Sequence, residues 1–154
     1  PAWALTMLGD CYADCGLHEK ARSAYIRAAE LKPTSPWLWA NLARSALALE
    51  DLPRAVIAAR QALRLKADCT TAAIILGYSM LRQGQTESSL AVLAEAARRD
   101  PQSAELQCML GRAYSVAGRK QQAKRCYCQA LSIEPGHRLA ERLLENDGLR
   151  AEMN

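Results

Sequence analysis

The chain has 154 residues, half of them hydrophobic, and a net charge of +4 at pH 7. It is long enough to bury a core, but no apolar run reaches the roughly 18 residues that a membrane-spanning helix requires. The basic residues are spread along the chain among Glu and Asp rather than concentrated in a stripe, which argues against nucleic-acid binding. Abundant Ala and Leu, with no Phe, favour helices over strands.

The first residues contain no charged region, apolar stretch and cleavage site of the kind found in signal peptides. The chain begins at Pro1, and its first methionine, Met7, already lies in the first predicted helix. We therefore expect a processed product or a piece of a longer protein.

A pair of residues recurs at a constant spacing of 34: Leu8-Gly9, Leu42-Ala43, Leu76-Gly77 and Leu110-Gly111. Apolar residues surround each pair at steps of three and four, which places them on one face of a helix. A fixed period of this length is typical of stacked repeats. It predicts four repeats, at residues 2–35, 36–69, 70–103 and 104–137.

Each predicted first helix is followed by a break, at Gly16, Glu50, Gly84 or Gly118, and then by a second helix rich in alanine. Glycine suits the left-handed backbone that ends a helix. Prolines at 33, 101 and 135 end the second helix in three repeats, and Ala67 replaces proline in the remaining one. Each repeat is thus predicted to be a helical hairpin. We expect the small residues Gly9, Ala43, Gly77 and Gly111 to let the two helices of each hairpin approach closely, and the small residues of the second helix to accept large side chains of the first.

These residues resemble the tetratricopeptide repeat, with its pattern W-x2-L-G-x2-Y, then A-x3-F, A and P. The first and fourth repeats match best, whereas the second carries alanine at positions 43, 46, 59 and 67. The resemblance implies an all-α, right-handed α-solenoid of four helical hairpins in one domain over residues 1–154. It also implies a capping helix over 138–151, with Leu139, Leu143 and Leu144 on one face.

The residue types that most often carry catalysis or bind metals, such as His and Cys, form no recognisable motif in this sequence. His18 and His137 lie three repeats apart, and the sequence has no phosphate-binding glycine loop and no zinc-protease motif. Cys11, Cys15 and His18 fall short of the four ligands of a structural zinc site. We expect Cys11 and Cys15 to pack between helices as small hydrophobic residues. The sequence predicts no enzyme activity, metal or cofactor, and six cysteines without an obvious pairing favour a reducing compartment, the cytoplasm.

In the family that the chain resembles, the first helices line a concave groove that binds peptides. That resemblance assigns nine residues to the groove: Trp37, Asn41, Arg44, Ile74, Tyr78, Leu81, Arg82, Met109 and Arg112. Trp37, Ile74, Tyr78, Leu81 and Met109 would form an exposed apolar strip. We expect Trp37, Ile74 and Tyr78 to provide affinity and the arginines to orient the ligand. The alternative is that some of these side chains pack against neighbouring helices or a continuation of the chain.

The leading hypothesis is a non-enzymatic protein–protein interaction module, a scaffold or adaptor. Its partner would be a protein or peptide with apolar anchors and some acidic residues, not a nucleic acid or a membrane. A regulatory or substrate-docking domain of a larger enzyme is one alternative. Another is self-association through an uncapped N-terminal face that carries Trp3 and Met7.

One variant of the family clamps the carboxylate at a partner's C-terminus, through Lys, Asn and basic residues on successive first helices. The corresponding positions here are Thr6, Asp10, Asn41, Thr71 and Ile75. Only Asn41 fits this pattern, and Asp10 would repel a carboxylate. This mode of binding is therefore not expected.

Overall fold

The computed structural model describes residues 1–148, which contain nine α-helices. Their bounds are α1 (Ala2–Asp14), α2 (His18–Leu31), α3 (Pro36–Ala48), α4 (Leu52–Leu65), α5 (Thr70–Arg82), α6 (Thr86–Arg99), α7 (Ala104–Val116), α8 (Lys120–Ile133) and α9 (Arg138–Asn146). The prediction of an all-α fold is confirmed for this part of the chain.

The chain divides into two units. The first, Pro1–Gln83, contains α1 to α5, and each of these helices packs against the next. Within this unit, α3 also contacts both α1 and α5. The helices that begin three successive repeats, α1, α3 and α5, therefore lie side by side. The second unit starts at Gly84 and contains α6 to α9. Because the boundary falls inside the third predicted repeat, the assignment of one domain to residues 1–154 stays a prediction.

Left-handed residues separate the two helices of each hairpin, as the glycine pattern predicts. Gly16, Gly84 and Gly118 have φ values of 72°, 76° and 74°, and Glu50 has a φ of 59°. A side chain in this conformation costs about 1–2 kcal/mol, a cost that glycine avoids. The second repeat therefore accepts local strain and gains a carboxylate at the turn.

The second helices end two residues before the predicted prolines, at Leu31, Arg99 and Ile133. Helix α4 ends at Leu65, in the same register, although Ala67 stands in place of proline. Proline is therefore not required for the second helix to end at this position.

The equal spacing of glycine and tyrosine in two of the hairpins has a direct structural reason. A Cβ atom on Gly9 would lie 2.5 Å from Cε1 of Tyr25, and one on Gly111 would lie 2.5 Å from Cε1 of Tyr127. First-helix side chains pack on the second helix as expected, with Tyr12 against the cluster of Ala21 and Ala28 and Tyr114 against that of Ala123, but these two hairpins also have a contact in the opposite direction. The ring of Tyr25 or of Tyr127 projects from the second helix and covers the glycine of the first, since only glycine leaves room for it.

Both units bury small cores around these rings. In the first unit, Tyr25 packs with Ala21, Ala28 and Leu38. In the second, Tyr127 packs with Ala123 and with Leu144 of α9. The first unit therefore joins neighbouring hairpins through Leu38 of α3, and the second is closed by its last helix.

Helix α9 packs on α7 and α8 with Leu144 buried and Leu139 and Leu143 half-buried, as predicted for a capping helix. Nδ1 of His137 accepts a hydrogen bond from the backbone N–H of Ala140 at 3.3 Å and so caps the helix start. The helix ends at Asn146, and residues 149–151 of the predicted cap lie outside the described part of the chain.

Candidate functional site

Asp10 joins the first two hairpins of the first unit through two hydrogen bonds. Its Oδ1 accepts from the hydroxyl of Tyr25 at 2.6 Å and from Nδ2 of Asn41 at 2.9 Å. Burial, and then the hydrogen bond to Asp10, raise the pKa of Tyr25 far above its usual range, so the hydroxyl remains a donor. The carboxylate expected only to repel a ligand thus holds α1, α2 and α3 together.

Asn41, held by Asp10, in turn positions Arg44. Because its amide nitrogen donates to Asp10, its Oδ1 is free to face Arg44, whose Nη2 donates to it at 2.8 Å. Arg44 is exposed and lies one helical turn after Asn41. A guanidinium has five N–H donors, so this hydrogen bond positions it and leaves other donors for a ligand.

Arg82, at the end of α5, is held by two groups of the first unit. Its Nη2 donates to Oε2 of Glu50 at 2.8 Å, and its Nη1 donates to the hydroxyl of Tyr78 at 3.2 Å. These hydrogen bonds, first that of Tyr78 and then that of Glu50, raise the pKa of Arg82. The carboxylate of Glu50, at the left-handed turn of the second repeat, therefore holds Arg82, one of the predicted site residues, in place.

Trp37 is the large apolar side chain of α3 that faces solvent, with 59% of its surface exposed. The ammonium of Lys66 lies 4.9 Å from the centre of its ring, a cation–π distance. Lys66 is the residue that follows α4, so it brings a positive charge from the second helix to the ring.

We refer to Trp37, Asn41, Arg44, Ile74, Tyr78, Leu81 and Arg82 as the first-helix surface, since all lie on α3 or α5, which contact each other in the first unit. Ile74, Tyr78 and Leu81 are half-buried. They therefore offer only part of their area to a ligand.

The expectation of an exposed Met109 is wrong, because only 5% of its surface is accessible. Met109 lies on α7, which packs against both α6 and α8, so little of that helix remains uncovered. Arg112, on the same helix, is half-buried and belongs to the second unit.

Two residues of this site escaped the sequence reasoning, Glu50 and Lys66. Glu50 had a usable signal, since it stands where the other three repeats carry glycine. A side chain tolerated at a left-handed turn is uncommon and worth examining. Lys66 had none, because only the packing of α4 brings it to Trp37.

The cysteines differ from the expectation in one respect. Cys11 and Cys15 are exposed, not packed between helices. Sγ of Cys108 is buried 3.6 Å from Nδ1 of His137, and burial raises the pKa of this thiol to about 12. Within residues 1–148, no group of three or more His, Cys, Asp or Glu side chains is arranged to hold a metal ion.

None of the helices described is long and apolar enough to cross a membrane.

Three models of the tetratricopeptide repeat match the chain, over residues 2–45, 41–104 and 80–146. No curated protein matches it significantly.

Solved structures share the fold at low sequence identity. TTC0263, a thermophilic repeat protein of Thermus thermophilus, is 23% identical with a TM-score of 0.83, over 97% of this chain and 84% of its own. YrrB, a repeat protein with an unusual peptide-binding site, is 22% identical with a TM-score of 0.80, over 94% and 74%. MamA from Desulfovibrio magneticus RS-1 is 20% identical with a TM-score of 0.82, over 98% and 85%.

The repeat models together extend from residue 2 to residue 146, and the helices and left-handed turns described above follow the same register. The chain belongs to the tetratricopeptide repeat family.

Proposed function

We propose that this chain is a non-enzymatic interaction module that binds a peptide segment of a partner protein on the first-helix surface. The exposed ring of Trp37 carries this proposal. It lies on the same face of α3 as Asn41 and Arg44, four and seven residues further along the helix. An apolar ring beside a positioned guanidinium suits a peptide that presents an apolar anchor and an acidic residue.

The apolar contact and the ion pair differ in the free energy that each contributes to binding. Burial of a large apolar side chain contributes about 1.5–3 kcal/mol, whereas an exposed ion pair contributes about 0–1 kcal/mol. Trp37 should therefore provide most of the affinity, with Tyr78 and Ile74 adding less because they are half-buried. Arg44 and Arg82 should set the direction of the peptide. Arg112, on α7, occupies the same position in its repeat as Arg44 and remains part of the proposal.

The proposal covers the organisation of the chain as well. It assigns four repeats to residues 2–137 and a cap to the residues that follow, as one domain. The free cysteines support a reducing compartment such as the cytoplasm.

To test the site, a displayed library of random 12-residue peptides is selected against the protein, and the recovered peptides are titrated against variants. We expect sequences that combine Trp, Phe or Leu with Asp or Glu. Trp37→Ala should weaken binding by about tenfold or more, and Arg44→Ala by severalfold at most.

Matched controls use exposed residues of the second helices: Leu31→Ala for the apolar contact and Arg60→Ala for the charge. Both should bind as the wild type does. Unchanged affinity in Trp37→Ala, Tyr78→Ala and Arg44→Ala alike would exclude the first-helix surface as the site.

A second candidate function, self-association, is favoured by the apolar side chains that α1 leaves exposed. Trp3, Met7 and Leu8 all face solvent on this helix. Light scattering over a range of concentrations should show a dimer that Trp3→Glu or Met7→Glu abolishes. A wild type that remains monomeric at high concentration would eliminate this candidate.

A further inference from the structure

An apolar cavity of the first unit lies away from the first-helix surface, between α2, α3 and α4. Its volume is about 200 Å³, and Ile26, Trp39, Leu42, Ala46, Ile57 and Ala58 form its apolar lining. Ala46 and Ala58 are buried, whereas Ile26 and Ile57 are exposed. We call this cavity the Ala46 pocket.

Ala46, in the floor of the pocket, occupies a position that carries a larger side chain in each of the other repeats. Positions 12, 46, 80 and 114 are equivalent in the 34-residue register, and they carry Tyr, Ala, Met and Tyr. In the first and fourth repeats the tyrosine is half-buried at the hairpin surface. At this position the second repeat has the smallest side chain of the four, and the equivalent surface of the first repeat, lined by Leu5, Leu8 and Tyr12, is also concave.

The pocket is shaped before any ligand arrives. Nε1 of Trp39 donates to the backbone carbonyl of Pro33 at 2.7 Å, which fixes the indole of the lining. For comparison, an apolar cavity of about 150 Å³ is large enough to bind benzene. A cavity of about 200 Å³ thus accepts one aromatic or large aliphatic side chain.

The Ala46 pocket and the first-helix surface lie on different sides of α3. Residues two apart on a helix point about 200° from each other. This offset separates Ala46 from Arg44 and Trp39 from Trp37. One ligand side chain cannot occupy both sites.

Positive charge borders the pocket. Arg22 and Arg54 both line it, and both pair with Asp51, at 3.7 Å and 3.3 Å. Arg22 also pairs with Glu19 at 2.9 Å, whereas the side chain of Arg54 keeps 63% of its surface exposed. Helix α4 carries three arginines and no acidic residue. Arg54, although paired with Asp51, is therefore the more exposed of the two rim arginines, and it lies on a helix without acidic residues.

We infer that the Ala46 pocket is a second docking site, which takes one aromatic or large aliphatic side chain from an acidic peptide segment of a partner protein. The incoming side chain packs against Trp39, Ala46 and Ile57. Carboxylates beside it face Arg54 and the basic surface of α4.

The test uses a synthetic probe, acetyl-Glu-Glu-Phe-Glu-Glu-amide, titrated into the full chain while NMR follows the indole N–H of Trp39. The same peptide with Ala in place of Phe should bind about tenfold more weakly or worse, since it lacks the buried ring. A version with Lys in place of Glu should bind severalfold more weakly. Equal binding of the Phe and Ala peptides, or a Trp39 signal that does not move, would overturn the inference.

Ala46→Tyr is the decisive variant, because it restores the residue of the first and fourth repeats and fills the hollow. It should keep its helical circular dichroism and lose at least about tenfold in affinity for the Phe peptide. Unchanged affinity in the folded variant would contradict the inference. If Ala46→Tyr does not fold, Ile57→Ser removes one side of the pocket at a position that is 66% exposed, and it must weaken binding.

Trp37→Ala and Arg44→Ala are the matched controls from the first-helix surface. This peptide also has the composition expected at the first-helix surface, so the variants should lose only the binding that belongs to that surface. The change in the Trp39 N–H signal, and its dependence on Phe, should be the same as in the wild type. A Trp39 change that disappears in these variants would place the peptide on the first-helix surface alone and exclude the Ala46 pocket, whereas the proposed function would stand.

Discussion

The first and fourth repeats share the pattern Leu-Gly-x-x-Tyr, yet their surroundings differ. Leu8 of α1 keeps 43% of its surface exposed, whereas Leu110, at the equivalent position of α7, keeps only 7%. Helix α7 packs against both α6 and α8, whereas α1 packs against α2 and, to a smaller extent, α3. The same residue in the same register is core in one repeat and surface in the other, because its burial depends on the helix that covers it.

The contacts between the two helices of a hairpin, in contrast, are the same in the first and fourth repeats. Tyr25 and Tyr127 are both fully buried over a glycine, and both hydroxyls donate to a carboxylate. The acceptors differ in origin. Tyr25 uses Asp10 of its own hairpin at 2.6 Å, and Tyr127 uses Asp147, which follows α9, at 3.1 Å. The repeat thus specifies the ring and its glycine, and each end of the chain supplies its own acceptor.

The largest expected effect is a direct test of this contrast at the leucines. Leu110→Ala should lower the free energy of unfolding by about 2–5 kcal/mol, the usual cost of a cavity in a core. Leu8→Ala should cost about 1 kcal/mol or less, because this side chain loses little buried area. Urea denaturation followed by circular dichroism measures both. Equal losses would show that α1 is covered in solution, as the self-association candidate requires.

The next largest effect is expected at the contact that the first and fourth repeats share, a tyrosine ring packed over a glycine. Gly9→Ala and Gly111→Ala should each destabilise the protein by up to about 2 kcal/mol, since overpacking costs about 1–3 kcal/mol and alanine regains about 1 kcal/mol of helix propensity. In a Tyr25→Ala background, Gly9→Ala should instead be stabilising. The second repeat already combines Ala43 with Ala59 at these two positions, both fully buried. A double-mutant cycle measures the coupling, and a value near zero would refute the steric explanation.

The smallest effect concerns pH and the two tyrosine acceptors. Burial and a nearby carboxylate raise the pKa of both Tyr25 and Tyr127 above the usual value of about 10. Above that pH the unfolded tyrosines lose their protons and the folded ones keep them, so stability present at lower pH is lost as the pH rises. The loss is at most about 1.4 kcal/mol per pH unit for each tyrosine. Urea midpoints at pH 8 and pH 10.5 should fall less in Tyr25→Phe/Tyr127→Phe than in the wild type, and a parallel fall would contradict this account.

The sequence predicts the helices and their ends well because these depend on local signals. Gly16 and Gly118 end first helices through their own backbone conformation, and the apolar spacing of three and four needs no distant partner. The resemblance to the tetratricopeptide repeat placed Trp37, Arg44 and Arg82 on the surface of first helices, and all three are exposed there.

The sequence-based predictions that were wrong concern residues whose neighbours lie on other helices. Met109 is buried on α7, a helix that packs against both α6 and α8, and Cys11 is exposed on α1. Asp10 binds Tyr25 and Asn41, which lie 15 and 31 residues away in sequence. Periodicity gives a position on a helix, but it does not identify the groups that pack against that position.

By itself, the sequence determined the 34-residue register and the predicted hairpins, because helix periodicity and turn residues act over a few neighbouring positions, and the resemblance of that pattern to the tetratricopeptide repeat indicated the family. Only the tertiary structure decided which equivalent residues are core and which are surface, which carboxylate each buried tyrosine uses, and that Ala46 leaves an open pocket. Those properties depend on contacts between helices that are distant in sequence, where a single small side chain changes the shape of the surface.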